Sequence, residues 1–455
     1  MRKYFGTDGI RRIANTELSP SLVYRVAKAG AYVLSKHSDH TPTILIGRDT
    51  RISGTLIESA MTAGFLSYGA NVKLLGVTST PSVAYLTKKL NADASVVISA
   101  SHNTFEFNGV KYFSNKGMKI PDEIEEEIEE LMDDSERLEE LTAKNDKIGV
   151  SENKEEYLED YISFIEEIFK KDIEKYNRDD FKVGIDVANG ATYKLAERIF
   201  TDLGINFEII NNNPDGININ DNCGSTHLEG LQRLVTNHKL SLGIAYDGDG
   251  DRCLAVDENG NVIDGDIFLA ITSKYLKEKG MLKNDTLVAT VMSNLGLTKY
   301  AETNGLKLNQ TKVGDRYVLE EMLNNGYNLG GEQSGHIIFL DYNPTGDGIL
   351  SSLMLIKIML EKKSKVSDLK RIINIYPQVL VNAKVSSEKK YDYDKDEEIA
   401  QAINNLEKEF EGNGRVLIRP SGTEPLVRVM IEGQDKDYIK EKAEKLAALI
   451  EQKLK

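Results

Sequence analysis

The stretch Asp247-Gly248-Asp249-Gly250-Asp251-Arg252 sets three carboxylates at alternate positions, with glycines between them that let the backbone turn all three toward one point. Hard oxygen donors of this kind suit Mg²⁺ or Ca²⁺. An EF-hand loop is the main competitor, and Glu258 even stands at its twelfth position. Two features oppose it. Arg252 occupies the sixth position, where the sharp turn needs glycine, and the flanks 242–245 and 253–256 read as strands rather than helices. A solvated acidic turn is the plainer alternative, but it leaves the alternation at a strand end unexplained.

A second candidate is Ser101. The apolar run Val96-Val97-Ile98 reads as a buried strand that stops in Ser99-Ala100-Ser101-His102-Asn103, followed by Asn108-Gly109-Val110-Lys111. In an open α/β sheet the carboxyl ends of strands are where ligands and reacting groups sit. A capping serine in an ordinary loop explains the stretch equally well when it is taken alone. His102 follows Ser101 directly, so in an extended segment the two side chains diverge and a simple Ser–His pair is disfavoured. There is no GxSxG elbow and no Walker-type Gly-Lys-Ser/Thr.

Three further loops complete the set. In Gly330-Gly331-Glu332-Gln333-Ser334-Gly335-His336, the residues Glu332, Ser334 and His336 alternate and would share one side of an extended segment. A carboxylate, a hydroxyl and an imidazole suit sugar hydroxyls; a glycine-rich turn and a core histidine are the alternatives. Arg419-Pro420-Ser421-Gly422-Thr423-Glu424-Pro425, with Arg428 beyond, offers guanidiniums, hydroxyls and backbone N–H groups that suit a phosphate dianion. Its alternative is a hairpin turn with surface arginines. Gly6-Thr7-Asp8-Gly9-Ile10-Arg11-Arg12 sets glycines beside adjacent arginines, which a surface turn explains as well. A metal loop, a serine and a phosphate cradle together point to phosphoryl transfer.

The elements that must position these loops alternate. Strand, loop, helix and strand recur around 43–75, 182–210 and 286–311, which predicts three related α/β domains with mixed sheets. After Ile375-Tyr376-Pro377 the pattern changes to a smaller C-terminal α+β domain, with a strand at 383–385, a helix over 397–410, paired strands around 419–425 and a last helix through Leu449. The expected domains are 1–150, 151–258, 259–374 and 375–455. The acidic stretch 122–140 carries Ile124, Ile128, Leu131 and Leu138 at helical spacing, which predicts one amphipathic helix with a solvated acidic face. A net charge of −15 argues against nucleic acid or an anionic membrane as the main partner, while the arginine-bearing loops suit a small anion. No apolar run approaches the roughly 18 residues that span a bilayer. The N-terminus lacks a signal-peptide core, and two cysteines make no disulfide framework, so a cytoplasmic location is expected.

In residues 6–11, 99–103, 247–252, 331–336 and 419–425, taken in that order, the chain resembles the α-D-phosphohexomutase superfamily. Met292-Ser293-Asn294-Leu295-Gly296-Leu297 and Lys312-Val313-Gly314-Asp315-Arg316-Tyr317 are similar to its amino-sugar branch, and relatives acting on glucose or mannose phosphates typically have Met where Gln333 stands. The resemblance implies four domains around a central cleft, each giving one loop. It implies that Ser101 is phosphorylated in the active enzyme, and that Asp247, Asp249 and Asp251 bind Mg²⁺ with an oxygen of Ser101. Glu332, Ser334 and His336 would recognise the sugar. Arg419, Ser421, Gly422, Thr423 and Arg428 would hold the phosphate that is not reacting. Arg11, His102, Lys111 and Arg252 would lie near the reacting phosphate, and Arg316 at the substrate.

The implied reaction is exchange between glucosamine 6-phosphate and glucosamine 1-phosphate through glucosamine 1,6-bisphosphate, feeding UDP-N-acetylglucosamine synthesis. It needs a phosphate donor or kinase to load Ser101, and it is compatible with a homodimer. The alternatives are action on glucose or mannose phosphates and a metal-dependent sugar phosphatase. Thr104, Phe107 and Arg12 depart from the family's usual proline, aspartate and glycine. The first of these predicts a less rigid loop after Ser101.

Overall fold

The computed structural model describes residues 3–6, 8–176, 180–421 and 424–455. It divides into two compact units. One comprises the residues up to Met292 together with Lys307–Arg371, and the other comprises Ser293–Leu306 with Ile372–Lys455.

The first unit contains three sheets. In the first, β1 (Ile10–Ile13), β2 (Thr43–Arg48), β3 (Asn71–Val77), β4 (Ala94–Ile98), β5 (Phe107–Ser114) and β6 (Ser151–Asn153) lie in the order β1-β5-β4-β2-β3-β6. In the second, β7 (Lys182–Asp186), β8 (Asn206–Ile210), β9 (Leu242–Tyr246), β10 (Cys253–Asp257) and β11 (Val262–Ile263) lie in the order β11-β10-β9-β7-β8. In the third, β12 (Thr286–Thr290), β13 (Lys307–Thr311), β14 (Leu329–Gly331) and β15 (Ile337–Phe339) lie in the order β13-β12-β14-β15.

One plan repeats. Each sheet has a central strand (β2, β7 or β12) with a parallel neighbour on each side. The second of these neighbours (β4, β9 or β14) is followed by an antiparallel strand (β5, β10 or β15). The connection at that reversal is 99–106, 247–252 or 332–336, which are the loops that hold Ser101, the three aspartates and Glu332. The fold therefore repeats one device, a chain reversal at the carboxyl end of a buried parallel strand.

The strand β4 shows why such strands are rigid. All five of its residues are buried; Val96 and Ile98 pack into one core and Val97 into another on the opposite face. Apolar residues on both faces are what a central strand covered on both sides requires.

The stretch 122–140 departs from the expected single helix. It forms Asp122–Asp133 and Ser135–Glu140, broken at Asp134, whose side chain caps the second helix by accepting from the Arg137 N–H. Its acidic face is not wholly solvated either. Glu129 is buried and accepts from the backbone N–H groups of Lys3, Tyr4 and Phe5 at 2.6 Å each, which ties down the start of the chain.

In the second unit, β16 (Gln378–Lys384), β17 (Gly414–Pro420) and β18 (Leu426–Gly433) form an antiparallel sheet in the order β16-β18-β17, covered by helices Glu397–Phe410 and Lys436–Leu454. The helix Leu295–Thr303 belongs with this unit. Asn294 caps it, and Asn294 Nδ2 donates to the Tyr376 carbonyl and to Glu432.

Candidate active site

Ser101 is buried and holds φ +51°, a left-handed conformation that is uncommon for a residue with a Cβ. Its N–H donates to Ser99 Oγ at 2.9 Å, and its hydroxyl donates to Asp247 Oδ2 at 2.7 Å. This backbone is not the extended one assumed from the sequence, so the His102 ring does not diverge, and Nδ1 lies 3.4 Å from Ser101 Oγ. The pair still makes a poor hydrolase dyad. Arg252 Nη1 lies 3.1 Å from the same Nδ1, which accepts from the guanidinium. Burial, with Arg252 and Arg11 beside the ring, lowers the His102 pKa to about 4, so the ring is neutral at pH 7.

The three aspartates occupy the reversal between β9 and β10. All are buried, and each offers an oxygen within 4.8 Å of the others'. Gly250 turns the loop at φ +72°, and at Gly248 a Cβ would fall 2.5 Å from the Ser101 carbonyl oxygen, so only glycine allows that approach. Asp249 Oδ1 and Asp251 Oδ1 are buried without a hydrogen-bond partner among the described residues. Burial, with Asp251 and Asp249 close by, pushes the Asp247 carboxyl well above its usual range. Orphaned oxygens and crowded carboxylates fit a hard divalent cation.

Cations already surround this cluster. Lys111 is buried, 2.8 Å from Asp249 Oδ2 and 3.1 Å from Asp8. Burial alone would lower its pKa, but Asp249 and Asp8 raise it, so Lys111 stays charged. Arg11 donates to Asn103 Oδ1 at 2.9 Å and to Asp8 at 3.0 Å, which sets it beside the Ser101 loop. The Arg252 backbone N–H donates to Asp247 Oδ1 at 3.2 Å.

The loop 332–336 is a tight hairpin turn and not an extended segment. Glu332 N–H donates to the His336 carbonyl at 3.0 Å, and Gly335 takes φ +93°. Glu332 and His336 therefore face each other across the turn. Glu332 accepts from Gly314 N–H at 3.2 Å; burial and then Asp315 raise its pKa. The Ser334 hydroxyl is buried without a partner among the described residues.

His336 is buried, with Nδ1 3.5 Å from Asp251 and Nε2 3.5 Å from Asp315. Burial opposes its protonation, yet the two carboxylates raise its pKa. The hydrogen bonds point the other way, because the Gly346 N–H donates to Nε2 at 2.9 Å and needs a lone pair there. That bond selects the neutral ring with its proton on Nδ1, facing Asp251. His336 thus stands behind Asp251, a carboxylate of the three-aspartate loop. Arg316 contacts Asp122 and lies 2.9 Å from Glu125, on the helix Asp122–Asp133.

In the second unit Arg419 and Arg428 are direct partners across β17 and β18. Like charges placed opposite each other on a sheet repel. Burial and the facing Arg428 lower the Arg419 pKa. The Nε of each is buried without a hydrogen-bond partner among the described residues. Ser421 Oγ accepts from Glu424 N–H at 3.2 Å, and Lys390 donates to the Ser421 carbonyl at 2.8 Å. Gly422 and Thr423 lie outside the described residues.

Sequence reasoning missed several groups. Arg51 and Asn220 grip the carbonyls of the Ser101 loop, Thr80 donates to Asp249 Oδ2 at 2.6 Å, and Lys119 joins Asp8 to Asp315. Arg51 had a signal, since it follows Asp49 at the carboxyl end of β2. Asn220 had none, because it acts from a loop distant in sequence.

Comparison with known proteins agrees with this layout. Family descriptions match in chain order: Phosphoglucomutase/phosphomannomutase, alpha/beta/alpha domain I over residues 2–139, domain II over 159–260, domain III over 264–376 and the C-terminal domain over 380–449. Four such domains in this order are those of a phosphohexomutase. A phosphoglucosamine mutase of Ruminiclostridium cellulolyticum is 54% identical over 455 residues, covering 100% of both chains. One from Clostridioides difficile is 51% identical, again with 100% of both chains covered. The chain belongs to the phosphoglucosamine mutase family.

Among solved structures, a Phosphoglucomutase/phosphomannomutase family protein from Burkholderia thailandensis shares the fold at TM-score 0.80 and 20% identity, covering 98% of this chain and 96% of the other. Aspergillus fumigatus N-acetylphosphoglucosamine mutase, solved with GlcNAc-6P and magnesium, shares it at TM-score 0.69 and 18% identity, covering 99% and 96%.

Proposed function

We propose that the protein interconverts glucosamine 6-phosphate and glucosamine 1-phosphate, with Ser101 as the phosphate carrier. The observation that carries the reading is the Ser101 hydroxyl 2.7 Å from Asp247, inside a buried cluster of three aspartates with Lys111 beside it. In the forward direction O1 of glucosamine 6-phosphate attacks the phosphorus of phosphoserine 101. The P–Oγ bond breaks, and the 1,6-bisphosphate forms. After the intermediate turns over, Ser101 Oγ attacks the phosphate on O6, and glucosamine 1-phosphate leaves.

Asp247, Asp249, Asp251 and Ser101 Oγ would hold Mg²⁺, which when bound neutralises charge on the transferring phosphoryl group. Lys111 and Arg11 add fixed positive charge that needs no reorganisation during transfer. His102, neutral at pH 7 with Nδ1 accepting from Arg252, would hold that guanidinium beside Ser101, and the proton lost from O1 is regained at Ser101 Oγ. Glu332 and Ser334 would meet the sugar. Arg419, Arg428 and Ser421, with Gly422 and Thr423, would hold the phosphate that is not reacting. An external phosphate donor must load Ser101 once.

The test is ³¹P NMR of the protein with Mg²⁺ and glucosamine 6-phosphate. The expected result is a growing 1-phosphate signal, with kcat/KM highest for the amino sugar. Steady release of inorganic phosphate without the isomer would make the protein a phosphatase. A clear preference for glucose or mannose 6-phosphate would move it to another branch of the superfamily.

A further inference from the structure

We infer that Arg51 and Asn220 are positioning residues that together hold Ser101 in its left-handed conformation, so that its hydroxyl oxygen faces the metal loop. The inference rests on Ser101 being the phosphate carrier.

Left-handed backbone at a residue with a Cβ persists only where the surroundings over-determine it. Around Ser101 the surroundings are specific. Arg51 is fully buried and fixed by Asp49, whose carboxylate accepts from its Nε at 2.8 Å. Its Nη2 donates to the carbonyls of Ser101 at 3.0 Å and Asn103 at 2.8 Å. Its Nη1 donates to the carbonyls of Phe107 at 3.1 Å and Thr104. One guanidinium thus gathers three carbonyls of the loop and the first of β5, which its planar fork of donors suits and a lysine could not reproduce.

Asn220 comes from the second α/β domain, is itself buried, and is also left-handed, at φ +57°. Its Nδ2 donates to the same two carbonyls, Ser101 and Asn103, at 2.8 Å each. Its backbone N–H donates to the carbonyl of Ala188, another left-handed residue, at 3.0 Å. The two donors converge on the carbonyls that flank His102. Rotation of the 101–102 peptide would break a contact to both at once. Among the described residues neither side chain hydrogen-bonds Ser101 Oγ or Asp247, Asp249 or Asp251, so each acts through the backbone of the loop.

The experiment compares Asn220→Asp, Asn220→Ala and Arg51→Lys with the wild type in the full chain. Mutase kinetics are measured together with the ³¹P resonance of the enzyme's phosphoserine and the melting temperature. Aspartate matches asparagine in shape but replaces its donors with a charged acceptor facing two carbonyls. A positioning role therefore predicts Asn220→Asp as worse than Asn220→Ala.

The expected result is a fall in kcat of about 100-fold for Asn220→Asp, the scale that a misplacement of about 1 Å produces. KM should stay within about threefold and the phosphoserine resonance should shift. Arg51→Lys should behave similarly, and if it fails to fold the asparagine pair decides. Unchanged kcat and resonance in both asparagine variants would overturn the inference. So would Asn220→Asp matching wild type while Asn220→Ala is impaired, which would indicate packing alone. A wild type without phosphoserine would remove the functional reading and this inference with it, whereas a phosphorylated wild type with silent variants would remove the inference alone.

Discussion

The Ser101 centre and the Arg419 loop both handle phosphate in this account, yet they are built oppositely. At Ser101 the charges are largely answered from within. Lys111 meets Asp249 and Asp8, Arg11 meets Asp8, and Lys119 meets Asp8 and Asp315. Between β17 and β18, Arg419 and Arg428 face each other, and the ion pair of Arg428 with Glu424 is long at 3.5 Å. A reacting centre must be preorganised before charge moves. A holding site needs only unsatisfied positive charge that an arriving anion completes. The contrast therefore separates residues that should govern kcat from residues that should govern KM.

The largest expected effect is at the reacting centre. Ser101→Ala should lower turnover by more than about 10⁴-fold, as loss of a nucleophile does, and intact mass should show no added phosphate. Asp249→Ala comes next, abolishing measurable Mg²⁺ binding by calorimetry. At the second region, Arg428→Ala should raise KM by about 10–100-fold, the scale of losing a charged hydrogen bond, and leave kcat nearly unchanged. A variant that lowered kcat instead would break the contrast.

His336→Ala tests a residue behind the metal loop. Because its ring supports Asp251, weaker Mg²⁺ binding and a fall in kcat of about 10–100-fold are expected, with little change in KM. A change confined to KM would place His336 at the sugar instead.

The smallest effect is one of pH. The His102 ring has a pKa of about 4 in the folded protein against a usual 6.5. Between those values the unfolded chain binds a proton that the folded protein refuses, so this group's contribution to stability is lost as pH falls through the window. Urea midpoints measured from pH 7 to below 5 should therefore decline less steeply for His102→Gln than for the wild type.

Much of this was legible in the sequence because it is local. The alternation of Asp247, Asp249 and Asp251 at a strand end, and the paired strands around 419–425, both follow from short-range pattern. The conformation of Ser101 did not. Its φ depends on Arg51, 50 residues away, and Asn220, 119 away, and only the packed domains bring those donors to its carbonyl. For the same reason Thr104, which stands where a stiffening proline was expected, does not leave the loop unsupported: its carbonyl accepts from Arg51. Glu129 shows the opposite failure. Its place on an acidic helical face suggested solvent, whereas three backbone N–H groups from the start of the chain bury it.

The most direct test of the phosphate-carrier role is a single-turnover experiment. Protein carrying isotopically labelled phosphate on Ser101 is mixed with unlabelled glucosamine 6-phosphate and Mg²⁺, and the products are separated. The label is expected on O1 of glucosamine 1-phosphate, because Ser101 gives up its own phosphate and takes back the one from O6. Label recovered as inorganic phosphate, or still on the protein while the isomer forms, would contradict it.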